Sequence, residues 1–105
     1  TFGPIGPWIV TRDEIPDPQN VRITSSVNDE IRQDGNTSEM IFSVAELIAD
    51  LSQHITLEPG DIIATGTPAG VAWGKGGSKY LHHGDTVRIT IEGIGELSNP
   101  IEVGA

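Results

Sequence analysis

Cysteine is absent from the sequence, which excludes disulfides, thiolate-ligated metals and a thiol nucleophile and suits a reducing, cytoplasmic setting. Cations are scarce as well: 6 Lys and Arg stand against 15 Asp and Glu, for a formal net charge of −9. Nucleic acid is held by clustered Lys and Arg that replace phosphate counterions, so that partner class is excluded, and an anionic membrane surface is disfavoured for the same reason. The imbalance also makes capture of a small anion difficult unless a metal ion or a locally positive pocket offsets it. Apolar runs fall well short of the roughly 20 residues of a membrane-spanning helix. There is no initiator Met and no leader ahead of Thr1, from which further residues upstream are expected. A length of 105 residues suits one domain with a modest core.

What is present is organised around Ile62-Ile63-Ala64-Thr65-Gly66-Thr67-Pro68-Ala69-Gly70-Val71. The residues Ile62 to Thr65 suit a buried strand, and the glycines after them permit positive φ and close backbone approach. Thr67 offers a hydroxyl between Gly66 and Pro68, and free backbone N–H groups around it would suit a carboxylate or carbonyl oxygen. Plain chain reversal is the other reading of a strand that ends in a Gly-Pro turn.

Elsewhere the pattern is β-rich with one helix. Four of the seven prolines precede residue 20, which rules out a helix there and leaves Trp8-Ile9-Val10 as a short strand between turns. Val21, Ile23, Ser25 and Val27 alternate with Arg22, Thr24 and Ser26, the period of a half-buried strand. Asn28-Asp29 reverses the chain, Glu30 to Gln33 returns, and Asp34 to Ser38 reads as a polar loop. Ser43-Val44-Ala45-Glu46 is a capping box with Phe42 placed to staple onto Leu47. It opens a helix at about 44–54 whose stripe of Val44, Leu47, Ile48, Leu51 and Ile55 is expected to pack on the sheet. Glu58-Pro59-Gly60-Asp61 reads as a type II turn, Trp73 to Lys79 as a mobile Gly-rich loop, and Thr86 to Glu92 with Glu96 to Ser98 as a closing hairpin.

No complete catalytic set emerges from spacing. The three histidines His54, His82 and His83 lack the spacing of a helical metal site. Gly74-Lys75 resembles a phosphate loop only in part, because Ala69 stands where the first glycine belongs and Gly76 where Ser or Thr should follow the lysine. The acidic clusters fall in turns, where they are solvated.

Taken together, Gly3-Pro4-Ile5-Gly6-Pro7-Trp8, Ile15-Pro16-Asp17-Pro18-Gln19-Asn20, Arg32-Gln33-Asp34-Gly35-Asn36-Thr37-Ser38, Met40-Ile41-Phe42 and Pro59-Gly60-Asp61 through Val71 resemble the C-terminal half of the fumarylacetoacetate hydrolase family, over nearly the whole chain. The resemblance implies a mainly β (α+β) fold, a mixed β-sandwich roll, and a homodimer. It implies an enzyme dependent on Mg²⁺, Mn²⁺ or Ca²⁺ that acts on 2-oxo or 1,3-dicarbonyl acids by C–C hydrolysis, tautomerisation or decarboxylation. The metal would polarise the carbonyl and offset the negative charge of the chain. On this likeness Thr67 contacts the substrate carboxylate, Gly66 lets the backbone approach it, and Thr1 sits near the metal. The family's metal carboxylates, its water-activating His-Glu pair and its lysine match nothing here, so no catalytic residue is assigned to this segment. It is expected to be the C-terminal part of one catalytic domain and inactive by itself; a non-catalytic, metal-free domain is the rival reading.

Overall fold

The computed structural model describes residues 3–75 and 79–104. Four strands and one helix account for its regular structure: β1 (Arg22–Val27), β2 (Glu30–Asn36), α1 (Val44–His54), β3 (Thr86–Ile91) and β4 (Gly95–Pro100), with single 3₁₀ turns at Thr37–Glu39 and Ala72–Lys75. The strands form one antiparallel sheet in the order β2-β1-β3-β4. Asn28 makes the first reversal at φ 53°, a conformation asparagine tolerates.

Directly paired residues share a face of a sheet. Ile23 pairs with Gly35 and with Ile91, Ser25 with Gln33 and with Ile89, and Ile89 with Leu97. That face receives the irregular segments. The opposite face carries the exposed ion pairs Arg22–Asp34 at 2.7 Å and Arg88–Glu96 at 3.0 Å, which fix side chains but add little stability. A β-bulge between Ser25 and Ser26 shifts the β1–β2 register. Beyond it Ser25 faces Gln33 instead of Arg32, so Gln33 and Gly35 lie on the apolar face.

Burial is sparse. Among the described residues Val21, 8% exposed, is the one buried apolar side chain. Its backbone N–H donates to Thr37 Oγ1 at 2.8 Å and its carbonyl accepts from Thr37 N at 2.9 Å, which ties β1 to the turn after β2.

The helix has the expected bounds and the expected cap. Ser43 Oγ accepts from Glu46 N at 3.2 Å, and Glu46 Oε2 accepts from Ser43 N at 2.7 Å. Its apolar stripe is only partly covered: Val44, Leu47 and Leu51 are half-buried, no α1 residue is fully enclosed, and Ile48 remains 44% exposed. The helix is held at its start instead, where Val44 N donates to Gln19 Oε1 at 2.9 Å. Two expected strands are absent. Trp8–Val10 joins no ladder; the Trp8 side chain lies against Gly95 and its Nε1 donates to Ile94 O at 2.7 Å, while Ile9 is exposed. Ile62–Thr65 carries no regular structure, because a strand forms only beside a partner and no described residue pairs with it. Conversely, β2 runs on to Asn36 through part of the expected polar loop. Of the expected Gly-rich loop, Ala72–Lys75 is a 3₁₀ turn and residues 76–78 lie outside the described residues.

Candidate substrate-binding site

The loop that carries Thr67 is launched by the expected type II turn. Asp61 N donates to Glu58 O at 3.1 Å, and Gly60 takes the required positive φ of 101°. It then lands on β2 through two glycines. A Cβ on Gly35 would come within 2.8 Å of Pro68 Cβ, and one on Gly70 would collide with the Arg32 carbonyl oxygen. Gly66 differs, having φ 103° with nothing within 4 Å of the place a Cβ would occupy. Glycine is thus required there by conformation, and the space beside its backbone is open.

Thr67 is fastened from below by Gln33. The Gln33 amide nitrogen Nε2 donates to Thr67 Oγ1 at 2.8 Å and to the Pro68 carbonyl at 2.8 Å, while its Oε1 accepts from Ser25 Oγ at 2.9 Å. Above lies an open cavity of 430 Å³ lined by Thr65 to Ala69, by Gly35 to Thr37, by Met40, Ile41 and Phe42, by Ile23 and Leu47, and by Glu39. Apolar walls with a few convergent polar groups are the usual make-up of a small-molecule site. Glu39, the charged member, turns back to the Asn36 backbone N–H at 3.4 Å to complete a capping box.

The perturbed carboxylates lie elsewhere. Arg22 holds Asp34 below its ordinary range, the Ser43 backbone N–H does the same for Glu46, and the His82 backbone N–H and Asn28 amide do so for Asp85. None of these lines the cavity, whose polar side chains are the hydroxyls of Thr37, Thr65 and Thr67, the Asn36 amide and the Glu39 carboxylate. Nor do the described residues include three His, Asp or Glu placed to hold a metal ion. The described residues thus supply no three-ligand cluster, and Thr1 lies outside them.

The structure places Gly66 and Thr67 together in the lining of one cavity. Gln33 and Ser25 are members of the same unit that sequence reading missed. Their alternation in a predicted hairpin was visible, but the bulge that sets them opposite each other was not.

Comparison with known proteins bears on this geometry. Residues 1–102 match the family described as fumarylacetoacetate (FAA) hydrolase, C-terminal. An uncharacterized protein of Staphylococcus aureus (strain USA300) is 57% identical over 98 residues, which cover 93% of this chain and 33% of the relative. Maleylpyruvate hydrolase from Sphingobium sp. SYK-6, solved in complex with manganese(II) and pyruvate, matches with a TM-score of 0.86 at 40% identity, covering 95% of this chain and 35% of that one. The 2-hydroxyhepta-2,4-diene-1,7-dioate isomerase of Mycobacterium marinum matches with a TM-score of 0.79 at 45% identity, covering 92% and 34%. The chain thus spans about a third of the length of these relatives. With the family pattern matched from residue 1 to residue 102, this chain belongs to the fumarylacetoacetate hydrolase family.

Proposed function

We propose that these residues form the C-terminal part of the catalytic domain of a divalent-metal-dependent enzyme that hydrolyses a C–C bond in acylpyruvate-like or 2,4-dioxo acids. The observation that carries this reading is the Thr67 hydroxyl at the edge of a 430 Å³ cavity, in a chain 40% identical to a hydrolase that was solved with manganese and pyruvate. Thr67 holds a carboxylate or keto oxygen of the substrate, and the open backbone at Gly66 lets it approach. The metal ligands, Mg²⁺ or Mn²⁺ being the ions intended, and the group that activates water lie in sequence beyond this segment, which alone is inactive. Tautomerisation of a hydroxymuconate-type acid is the second reading, favoured by the 45% identity to an isomerase of that class. In the same reading the enzyme is a cytoplasmic homodimer. The exposure of Ile41 at 92% and Trp73 at 83% supports covering of these surfaces in the assembled protein.

Calorimetric titration tests this directly. Mn²⁺ should bind the full-length protein and release no heat with the 105-residue segment. In the metal-loaded full-length protein, Thr67→Val should weaken pyruvate while leaving Mn²⁺ affinity intact. Unchanged pyruvate affinity would remove Thr67 from the site, and Mn²⁺ binding by the segment would contradict the placement of the ligands.

A further inference from the structure

We infer that Gln33 is a positioning residue which, by donating to Thr67, leaves the Thr67 hydroxyl proton to be given toward the cavity, so that this point of the site favours an acceptor oxygen of a bound 2-oxo acid. The inference rests on the reading of Thr67 as a substrate-holding group.

A threonine hydroxyl has one proton to give and two lone pairs to receive with, and nothing in the sequence decides which it presents to a ligand. Here the decision is made beneath it. An amide is ambiguous in orientation until its partners are known. The Pro68 carbonyl, 2.8 Å from Gln33 Nε2, removes the ambiguity, because a carbonyl only accepts and an amide oxygen in that place would set two acceptors against each other. The nitrogen therefore faces Pro68 and Thr67, and both of its protons are committed, one to Pro68 O and one to Thr67 Oγ1. The amide oxygen, on the far side, takes the Ser25 hydroxyl proton at 2.9 Å, which holds the same orientation from the other end.

Gln33 offers Thr67 no acceptor. The Thr67 proton cannot point back at a fully committed donor, which leaves it for an acceptor in the cavity that Thr67 lines. A carboxylate or keto oxygen can take that proton, whereas a ligand N–H would have only the one remaining lone pair of Thr67 to donate to. The chain from Ser25 through Gln33 to Thr67 runs across one face of the sheet from β1 to the loop. It exists because the bulge between Ser25 and Ser26 places Gln33 directly opposite Ser25. Bulges next to sites characteristically re-aim a side chain in this way.

The test is a double-mutant cycle on pyruvate affinity, measured calorimetrically in the full-length protein with Mn²⁺ present. Gln33→Met keeps the length of the side chain and removes the donor. Thr67→Val is expected to weaken pyruvate about tenfold or more, the loss of one hydrogen bond to a charged group, and Gln33→Met about fivefold. The double variant should be no weaker than Thr67→Val alone, since Gln33 acts only through the hydroxyl. A Gln33→Met protein that binds pyruvate normally, or a double variant in which the two losses multiply in full, would overturn the inference while leaving the substrate-holding role of Thr67 in place. A Thr67→Val protein with normal pyruvate affinity would defeat that role and the inference together. Should Gln33→Met fail to fold, Ser25→Ala carries the same test: a smaller loss that disappears in the Thr67→Val background supports the inference, and a loss that persists there overturns it.

Discussion

Gly35 and Pro68 lie so close that a single methyl group on the glycine would stand 2.8 Å from the proline Cβ. This contact seats the Thr67 loop on β2, and Gly35 is itself buried beneath it. Neither partner is the far end of a flexible side chain, so the clash cannot be relieved by a rotamer change. Gly35→Ala should therefore lift the loop and cost about 1–3 kcal/mol, the usual range for overpacking. Thermal unfolding measures the cost. Pyruvate affinity in the full-length protein should fall with it, because Thr67 then rises off Gln33.

Trp8 covers the other end of the same face. Its ring lies over Gly95, where a Cβ would come within 2.6 Å of Cζ2, and its indole N–H donates to Ile94 O at 2.7 Å. The side chain is still 55% exposed, so truncation should cost less than for a fully buried tryptophan. Trp8→Ala is expected to destabilise by about 1–3 kcal/mol through lost cover of Ile91 and Leu97 and a lost hydrogen bond. Trp8→Phe, which restores the ring without the donor, should recover most of that loss in denaturant unfolding.

The helix depends on its first turn more than on burial, since none of its residues is buried. Ser43→Ala removes both the acceptor for Glu46 N and the partner hydroxyl for Glu46 Oε2. A loss of about 1 kcal/mol is expected from the cap. Circular dichroism should show the helical signal of this variant fading earlier on heating than the sheet signal.

Much of this was legible in the sequence, and the reason differs from part to part. The capping box at Ser43 and Glu46, the reversal at Asn28 and the turn at Pro59-Gly60 are settled by neighbours a few residues apart, so local patterns identify them. The alternation of Val87, Ile89 and Ile91 likewise shows in the sequence because burial of one face imposes it. The segments Trp8–Val10 and Ile62–Thr65 carry strand-like residues, yet whether extended chain becomes a strand depends on a distant partner, which no local pattern contains. Gln33 was hidden for a related reason: a shift of one residue in register exchanges the two faces of β2, and without the bulge Arg32 would stand where Gln33 stands.

Acid should loosen the molecule at the joint between the β1–β2 reversal and β3. There Asp85 accepts from Asn28 Nδ2 at 3.0 Å and from His82 N at 2.8 Å, while Thr86 N donates to Asn28 Oδ1 at 3.0 Å. These bonds favour the ionised carboxylate, chiefly the one from the His82 backbone, and hold Asp85 below its ordinary value of 3.8. A carboxyl whose folded pKa is depressed contributes stability that is fully present above the unfolded value and is lost as pH falls through the folded one. The contribution of Asp85 should thus be constant at neutral pH, begin to decline as the pH approaches 3.8 and be lost only once the pH has fallen through the lower folded value. Asp34 and Glu46 are shifted in the same direction, so the acid transition of the unaltered protein is a sum over several groups. The difference between it and Asp85→Asn isolates one of them. The variant should melt below the unaltered protein at pH 7, and the gap should close as the pH is lowered past the Asp85 transition. A gap that stays constant from neutral to acid pH would show that the ionised form of Asp85 holds no advantage at this joint.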